Sequence, residues 1–243
     1  MRPRNHAPVT WRTAAAFAVH VYTASGVVLA MLIVMAAWEG DTSRALWLGL
    51  VALVVDGTDG MLARYLRVKE TIPHFDGARL DDIVDYMTYA FVPMVLLWRG
   101  DYLPAGTWGT VIAAIPLLAS SYQFCRTDAK TDDHFFLGFP SYWNVVAFYV
   151  VVLGLPAAVT ATILIACAVL VFVPVKYVYP SRTNAFRTLN LTLAGLWLVL
   201  YAVILADVPD PQPVAVGLSL AYVAYYAVVS VYLTLRSRRT AVA

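Results

Sequence analysis

Apolar residues run through this chain in stretches of about twenty, the length a helix needs to cross the hydrocarbon core of a bilayer. Such windows fall at 13–38, 43–67, 80–98, 107–124, 142–155, 158–177, 186–206 and 213–235 of the 243 residues. The pattern predicts an all-α, polytopic integral membrane protein with about eight transmembrane helices. The fifth window is short and separated from the sixth only by Gly154-Leu155-Pro156, so joining the two gives a seven-helix alternative. The short Pro/Gly-containing connections at 100–106 and 207–213 read as plain turns. No repeat, linker or change of composition divides the chain, and residues 1–243 are read as a single transmembrane domain.

Composition supports this reading: 61% of residues are hydrophobic and 13% charged, and the mean hydropathy is +0.71. A soluble domain does not have this balance, and no nucleic-acid partner is expected. Charge placement predicts the orientation. With eight helices and both termini on one side, every Lys and Arg except Arg44 and Arg99 falls on that side, fifteen of seventeen. By the positive-inside rule both termini are cytoplasmic, as are the loops at 125–141 and 177–187. The basic start at 1–12 leads into an apolar run too long for a signal peptide, so the first helix is expected to remain as an anchor. Cys125 and Cys167 have no pairing or metal-ligand pattern and are read as reduced and structural.

Four aspartates break the apolar pattern. Asp56 and Asp59 follow the run Leu48–Val55, and Asp81 and Asp85 open the third window. An ionised carboxylate at mid-bilayer costs roughly 2.5–3.5 kcal/mol by insertion scales, so these groups need compensation. Spacings of three and four residues put each pair on one helix face, and two such helices could aim four carboxylates at one point. Hard divalent cations, Mg²⁺ or Mn²⁺, fit this set and usually share their shell with substrate phosphates. Two ions could polarise a phosphoryl group and orient an attacking hydroxyl. Arg64, near the cytoplasmic helix end, could pair with a phosphate. Two other readings are open to these residues: ion pairs with Arg64, Arg67 and Arg79 that join helices, or a proton or cation pathway.

In full, the segment reads Asp56-Gly-Thr-Asp59-Gly60-Met-Leu-Ala63-Arg64, then Gly77-Ala-Arg-Leu-Asp81-Asp-Ile-Val-Asp85. It resembles the signature of the CDP-alcohol phosphatidyltransferases, D-x-x-D-G-x-x-A-R followed by G-x-x-x-D-x-x-x-D, at every fixed position. The twelve residues 65–76 between the halves are more than the family usually has. That spacing, the eight-helix layout and the segment His134-Phe-Phe-Leu-Gly-Phe-Pro-Ser-Tyr-Trp-Asn144 are similar to the family's bacterial branch that uses CDP-diacylglycerol and free choline. The resemblance implies a multi-pass enzyme of the bacterial cytoplasmic (inner) membrane, with its active site facing the cytoplasm, that makes phosphatidylcholine and releases CMP. It further implies two ions of Mg²⁺ or Mn²⁺ on Asp56, Asp59 and Asp81, with Asp56 and Asp81 bridging them. Asp85 would complete the site and act as general base. Gly60, Ala63, Arg64 and Gly77 would line the pocket for CDP-diacylglycerol, and the membrane helices would form a homodimer. A sister enzyme using serine, inositol phosphate or glycerol phosphate is the alternative, and its acceptor site should be basic. A transporter should show internal pseudo-symmetry, which the sequence does not.

Several further residues are expected at the site. A quaternary ammonium has no hydrogen to donate and is held by aromatic faces; Tyr122 and Trp143 are the first candidates, with Tyr142 beside them. His20 and Thr23, polar residues on the first helix, are expected to face choline. Arg126 and Arg182 are expected to hold lipid phosphates. Asp76 and Asp82 match no motif position and are read as capping or solvated residues.

Overall fold

The computed structural model describes residues 11–240. The basic start with Arg2 and Arg4 lies outside the described residues. Helices α1 (Trp11–Glu39) and α2 (Thr42–Tyr65) form an antiparallel pair. Gly40 makes the turn at φ +78°, and Asp41 caps α2 by accepting the Arg44 N–H at 2.9 Å. The segment between the halves of the signature is folded. Arg67, with a left-handed φ of 49°, starts the single turn α3 (Val68–Thr71). Val68 and Ile72 are buried there against Ala16 and Val19 of α1, which ends α2 two residues short of its predicted limit.

Asp76 then caps α4 (Gly77–Asp85), its Oδ1 accepting the Arg79 N–H at 3.1 Å, as its position before a helix suggests. A π-helical segment, Tyr86–Phe91, leads on into α5 (Val92–Arg99). The Val92 N–H reaches back five residues to the Met87 carbonyl. Pro93, which has no N–H, follows directly, so the ladder is already open at this point.

Helix α6 (Thr107–Cys125) precedes the short strand β1 (Phe135–Leu137), then come α7 (Trp143–Val152) and α8 (Ala157–Val171), strand β2 (Lys176–Val178), α9 (Arg187–Ala206) and α10 (Pro213–Thr240). The predicted span 158–177 is corrected at its end: the helix stops at Val171, Pro174 prevents its continuation, and 176–178 is extended. β2 pairs antiparallel with β1, Phe135 opposite Val178. By length and composition α1, α2, α9 and α10 can each cross a membrane, whereas α7 and α8 are apolar but shorter.

Interior packing uses aromatic and aliphatic side chains from several helices. Phe148 stacks on Tyr201 with ring centroids 3.7 Å apart, between Ile33, Leu46 and Trp197. A second group joins Met94, Leu97, Trp143 and Leu164. Large apolar side chains such as Val21, Met31, Val199 and Val228 point outward, an arrangement that suits a lipid surround and would be costly in water.

Candidate active site

α2 brings Asp56 and Asp59 to one side of the α1 interface, and α4 crosses α1 so that Asp81 and Asp85 face them. One carboxylate oxygen from each of Asp56, Asp81 and Asp85 lies within 4.8 Å of the others. Asp59 lines the same cavity, together with Thr23, Gly26 and Thr88. It is 5% exposed, and its Oδ2 accepts the Thr23 hydroxyl at 2.7 Å. The close approach of α1 to α4 depends on Gly26, where a Cβ would collide with Val84 Cγ1. Three buried or half-buried carboxylates this close repel one another unless a cation or proton joins them. Their oxygen-only donor set fits a hard divalent ion.

Gly60 and Arg64 are also brought together. A Cβ on Gly60 would stand 3.2 Å from the Arg64 guanidinium, which folds back over it. Gly77 has a packing role of its own, because a Cβ there would meet His20 Cε1 at 2.7 Å. The His20 ring lies against Phe75, centroids 4.2 Å apart, and does not line the cavity. Its Nε2 is buried without a hydrogen-bond partner in the structure. Thr23 does reach the site, but its hydroxyl serves Asp59. Ala63 packs beside Ala16 and Val19.

The structure places the three aromatic candidates in different surroundings. Trp143 has no exposed surface, and its indole N–H donates to Ser120 at 2.6 Å, so it is a core residue. Tyr122 packs at a tilt against Phe172, centroids 4.9 Å apart, beneath the Arg126 guanidinium, with no described contact to the carboxylates. Tyr142, in contrast, lies beside Tyr89, whose hydroxyl bonds Asp56. Its ring is 6.0 Å from Tyr89, 6.2 Å from Tyr226 and 6.4 Å from Phe136, and Phe136 stacks on Tyr179 at 4.5 Å.

Arg126 is engaged elsewhere. It makes two 2.7 Å bonds to Asp128 and one of 3.3 Å to the Leu137 carbonyl, and the guanidinium holds the Asp128 carboxyl below its ordinary range. These bonds tie down the loop. Arg182 lies over the Tyr179 ring at 5.7 Å, at the edge of the aromatic group.

Two further residues reach the carboxylates. Lys130 reaches Asp82 Oδ1 at 3.5 Å, and its charge acts on Asp56, Asp81 and Asp85. Asp82 is thereby the half-exposed partner of a lysine. Tyr89 donates its hydroxyl to Asp56 Oδ2 at 2.5 Å. Its position, four residues after Asp85, is a signal the sequence did contain.

A family model of CDP-alcohol phosphatidyltransferases matches residues 18–174, a stretch that contains all four aspartates. The chain is 40% identical over 227 residues to a phosphatidylcholine synthase of Legionella pneumophila, covering 90% of this chain and 89% of that one. It is 40% identical over 215 residues to a phosphatidylcholine synthase of Pseudomonas aeruginosa, covering 88% and 89%. A third relative of the same name, from Legionella bozemanae, is 44% identical over 198 residues, 78% of this chain and 90% of its own.

Proposed function

Because the chain belongs to the CDP-alcohol phosphatidyltransferase family, we propose that the acidic cavity between α1, α2 and α4 transfers the phosphatidyl group of CDP-diacylglycerol to choline. The observation that carries this reading is the convergence of Asp56, Asp81 and Asp85 within 4.8 Å, in a chain whose relatives over most of its length are named phosphatidylcholine synthases.

Asp56, Asp59 and Asp81 would hold two ions of Mg²⁺ or Mn²⁺. Such ions, when bound, supply positive charge to the diphosphate and its leaving oxygen. Asp85 accepts the proton of the choline hydroxyl. The freed oxygen forms a bond to the phosphorus bearing diacylglycerol, the bond from that phosphorus to the CMP oxygen breaks, and CMP leaves. Gly60, Arg64 and Gly77 receive the cytidine diphosphate, with Arg64 as a phosphate partner. The quaternary ammonium rests against Tyr142 and its neighbours Phe136, Tyr179 and Tyr226.

The same reading has the chain cross the inner membrane eight times with both ends and the site on the cytoplasmic side, as a homodimer. The test is incubation of detergent-purified protein with CDP-diacylglycerol, Mg²⁺ or Mn²⁺ and a panel of labelled alcohols. Phosphatidylcholine and CMP in equal amounts are expected. Product from serine, inositol phosphate or glycerol phosphate, with none from choline, would leave the family assignment and remove the acceptor.

A further inference from the structure

Tyr89 is buried, donates to Asp56 at 2.5 Å, and has no part in the reaction described above. Asp81, Asp85 and Tyr89 recur every four residues. On an uninterrupted α-helix that repeat slips around the axis by about 40° at each step, because a turn takes 3.6 residues. Two steps would swing Tyr89 well away from the face that carries Asp81. The π segment Tyr86–Phe91 closes its hydrogen bond over five residues instead of four, Val92 to Met87, and the wider turn takes the slip back. Tyr89 therefore stays on the carboxylate face and reaches across to α2. π turns of this kind are rare and recur at functional sites.

A carboxylate has two oxygens, and one that must serve a cation gains from having the other fixed. Asp56 shares the cavity with Ala52, Val55 and Asp59 of its own helix, none of which carries a donor that could orient an ionised carboxylate. We propose that Tyr89 is a positioning residue for the metal site: the π segment delivers its hydroxyl to Asp56 Oδ2, which leaves the other oxygen turned toward the ion. This inference rests on the reading of Asp56 as a metal ligand. It adds that metal affinity depends on a phenol hydroxyl belonging to the same helix as Asp81 and Asp85, so the two halves of the ligand set are locked by a bond other than the metal.

The test uses the full chain in detergent without substrate, titrated with Mn²⁺ and read by the electron paramagnetic resonance signal of the free ion. Tyr89→Phe keeps the ring and loses only the hydroxyl. It should weaken Mn²⁺ binding about 10- to 100-fold, the usual effect of removing a group that orients a ligand. In native membranes, which also hold variants too weak for detergent, the Mn²⁺ needed for half-maximal turnover should rise by a similar factor while the choline KM at saturating Mn²⁺ is unchanged. A variant that is merely less folded would lose activity at every Mn²⁺ concentration without moving that midpoint, and this result would overturn the proposal. So would equal Mn²⁺ affinity in Tyr89→Phe and wild type. If the wild type itself binds no Mn²⁺, the metal reading of the carboxylates fails first and takes this inference with it.

Discussion

Thr23 and Asp59 meet across the α1–α2 interface, the threonine hydroxyl donating to Asp59 Oδ2 at 2.7 Å. Asp59 is almost wholly enclosed, so this bond compensates a charge that water cannot reach. Thr23→Val keeps the shape and removes the donor, and should cost about 1–3 kcal/mol, the penalty of an unsatisfied buried group. Mg²⁺ offers the carboxylate another partner, so the loss should shrink when thermal unfolding is followed in Mg²⁺ instead of chelator. An equal loss in the two conditions would count against Asp59 as a ligand.

Asp56→Asn and Asp81→Asn each remove a charge that two ions would share. Turnover should vanish in both variants and in excess chelator, while size-exclusion profiles in detergent stay normal. Substantial activity in metal-free buffer would sink the two-metal mechanism.

Asp85→Asn keeps the shape of the side chain but cannot take a proton. Transfer to choline should fall on the order of 10²–10⁴-fold, the usual contribution of general base catalysis, with CDP-diacylglycerol binding nearly unchanged. Parallel loss of binding and turnover would make Asp85 chiefly a ligand or a structural residue.

Tyr142 and Trp143 are neighbours in sequence with opposite expected phenotypes. Tyr142→Leu removes an aromatic face from the proposed choline wall and should raise the choline requirement roughly 2- to 30-fold, from an attraction of about 0.5–2 kcal/mol. Trp143→Ala empties a packed position and should cost about 3–5 kcal/mol of stability, with choline saturation unchanged in the protein that folds. Wild-type choline saturation in Tyr142→Leu would move the choline wall elsewhere.

Gly77→Ala separates two explanations of one glycine. Its new methyl would press on His20 Cε1 at 2.7 Å, and overpacking of this kind costs about 1–3 kcal/mol. If packing is the reason for glycine, adding His20→Ala should restore stability and CDP-diacylglycerol binding together. Restored stability without restored binding would assign Gly77 to the nucleotide pocket.

What the sequence disclosed follows from how local each signal is. The aspartate pairs were legible because a carboxylate inside an apolar run must find partners, and helical spacing fixes which ones share a face. Asp76 was legible for the same reason, since an aspartate just before a helix has one common use. Trp143 was not, because a tryptophan near a predicted interface looks alike whether it lines a pocket or fills a core. Only the Ser120 hydroxyl beneath its indole distinguishes them. The π segment leaves no mark in the sequence because residues 86–91 contain neither Pro nor Gly, and its register is visible only against Asp56 on another helix. Lys130 shows only its charge in the sequence, since its partners lie more than forty positions away. Strands of three residues carry too short an alternation to be read, and β1 and β2 are separated by two helices.

That small sheet has a consequence for how the molecule holds together. β2 is hydrogen-bonded to α10 as well as to β1: the Lys176 and Val178 N–H groups donate to Thr234 and Ser230, and the Tyr226 hydroxyl donates to the Val178 carbonyl. β1 in turn belongs to the segment that carries Lys130 and Phe136. The roof above the aspartates is thus woven from both halves of the chain, with the final helix as its post. A chain cut after α9 would retain all four aspartates and every residue of the signature, yet lose the three bonds that fix the small sheet, and with it Phe136, to the rest of the fold.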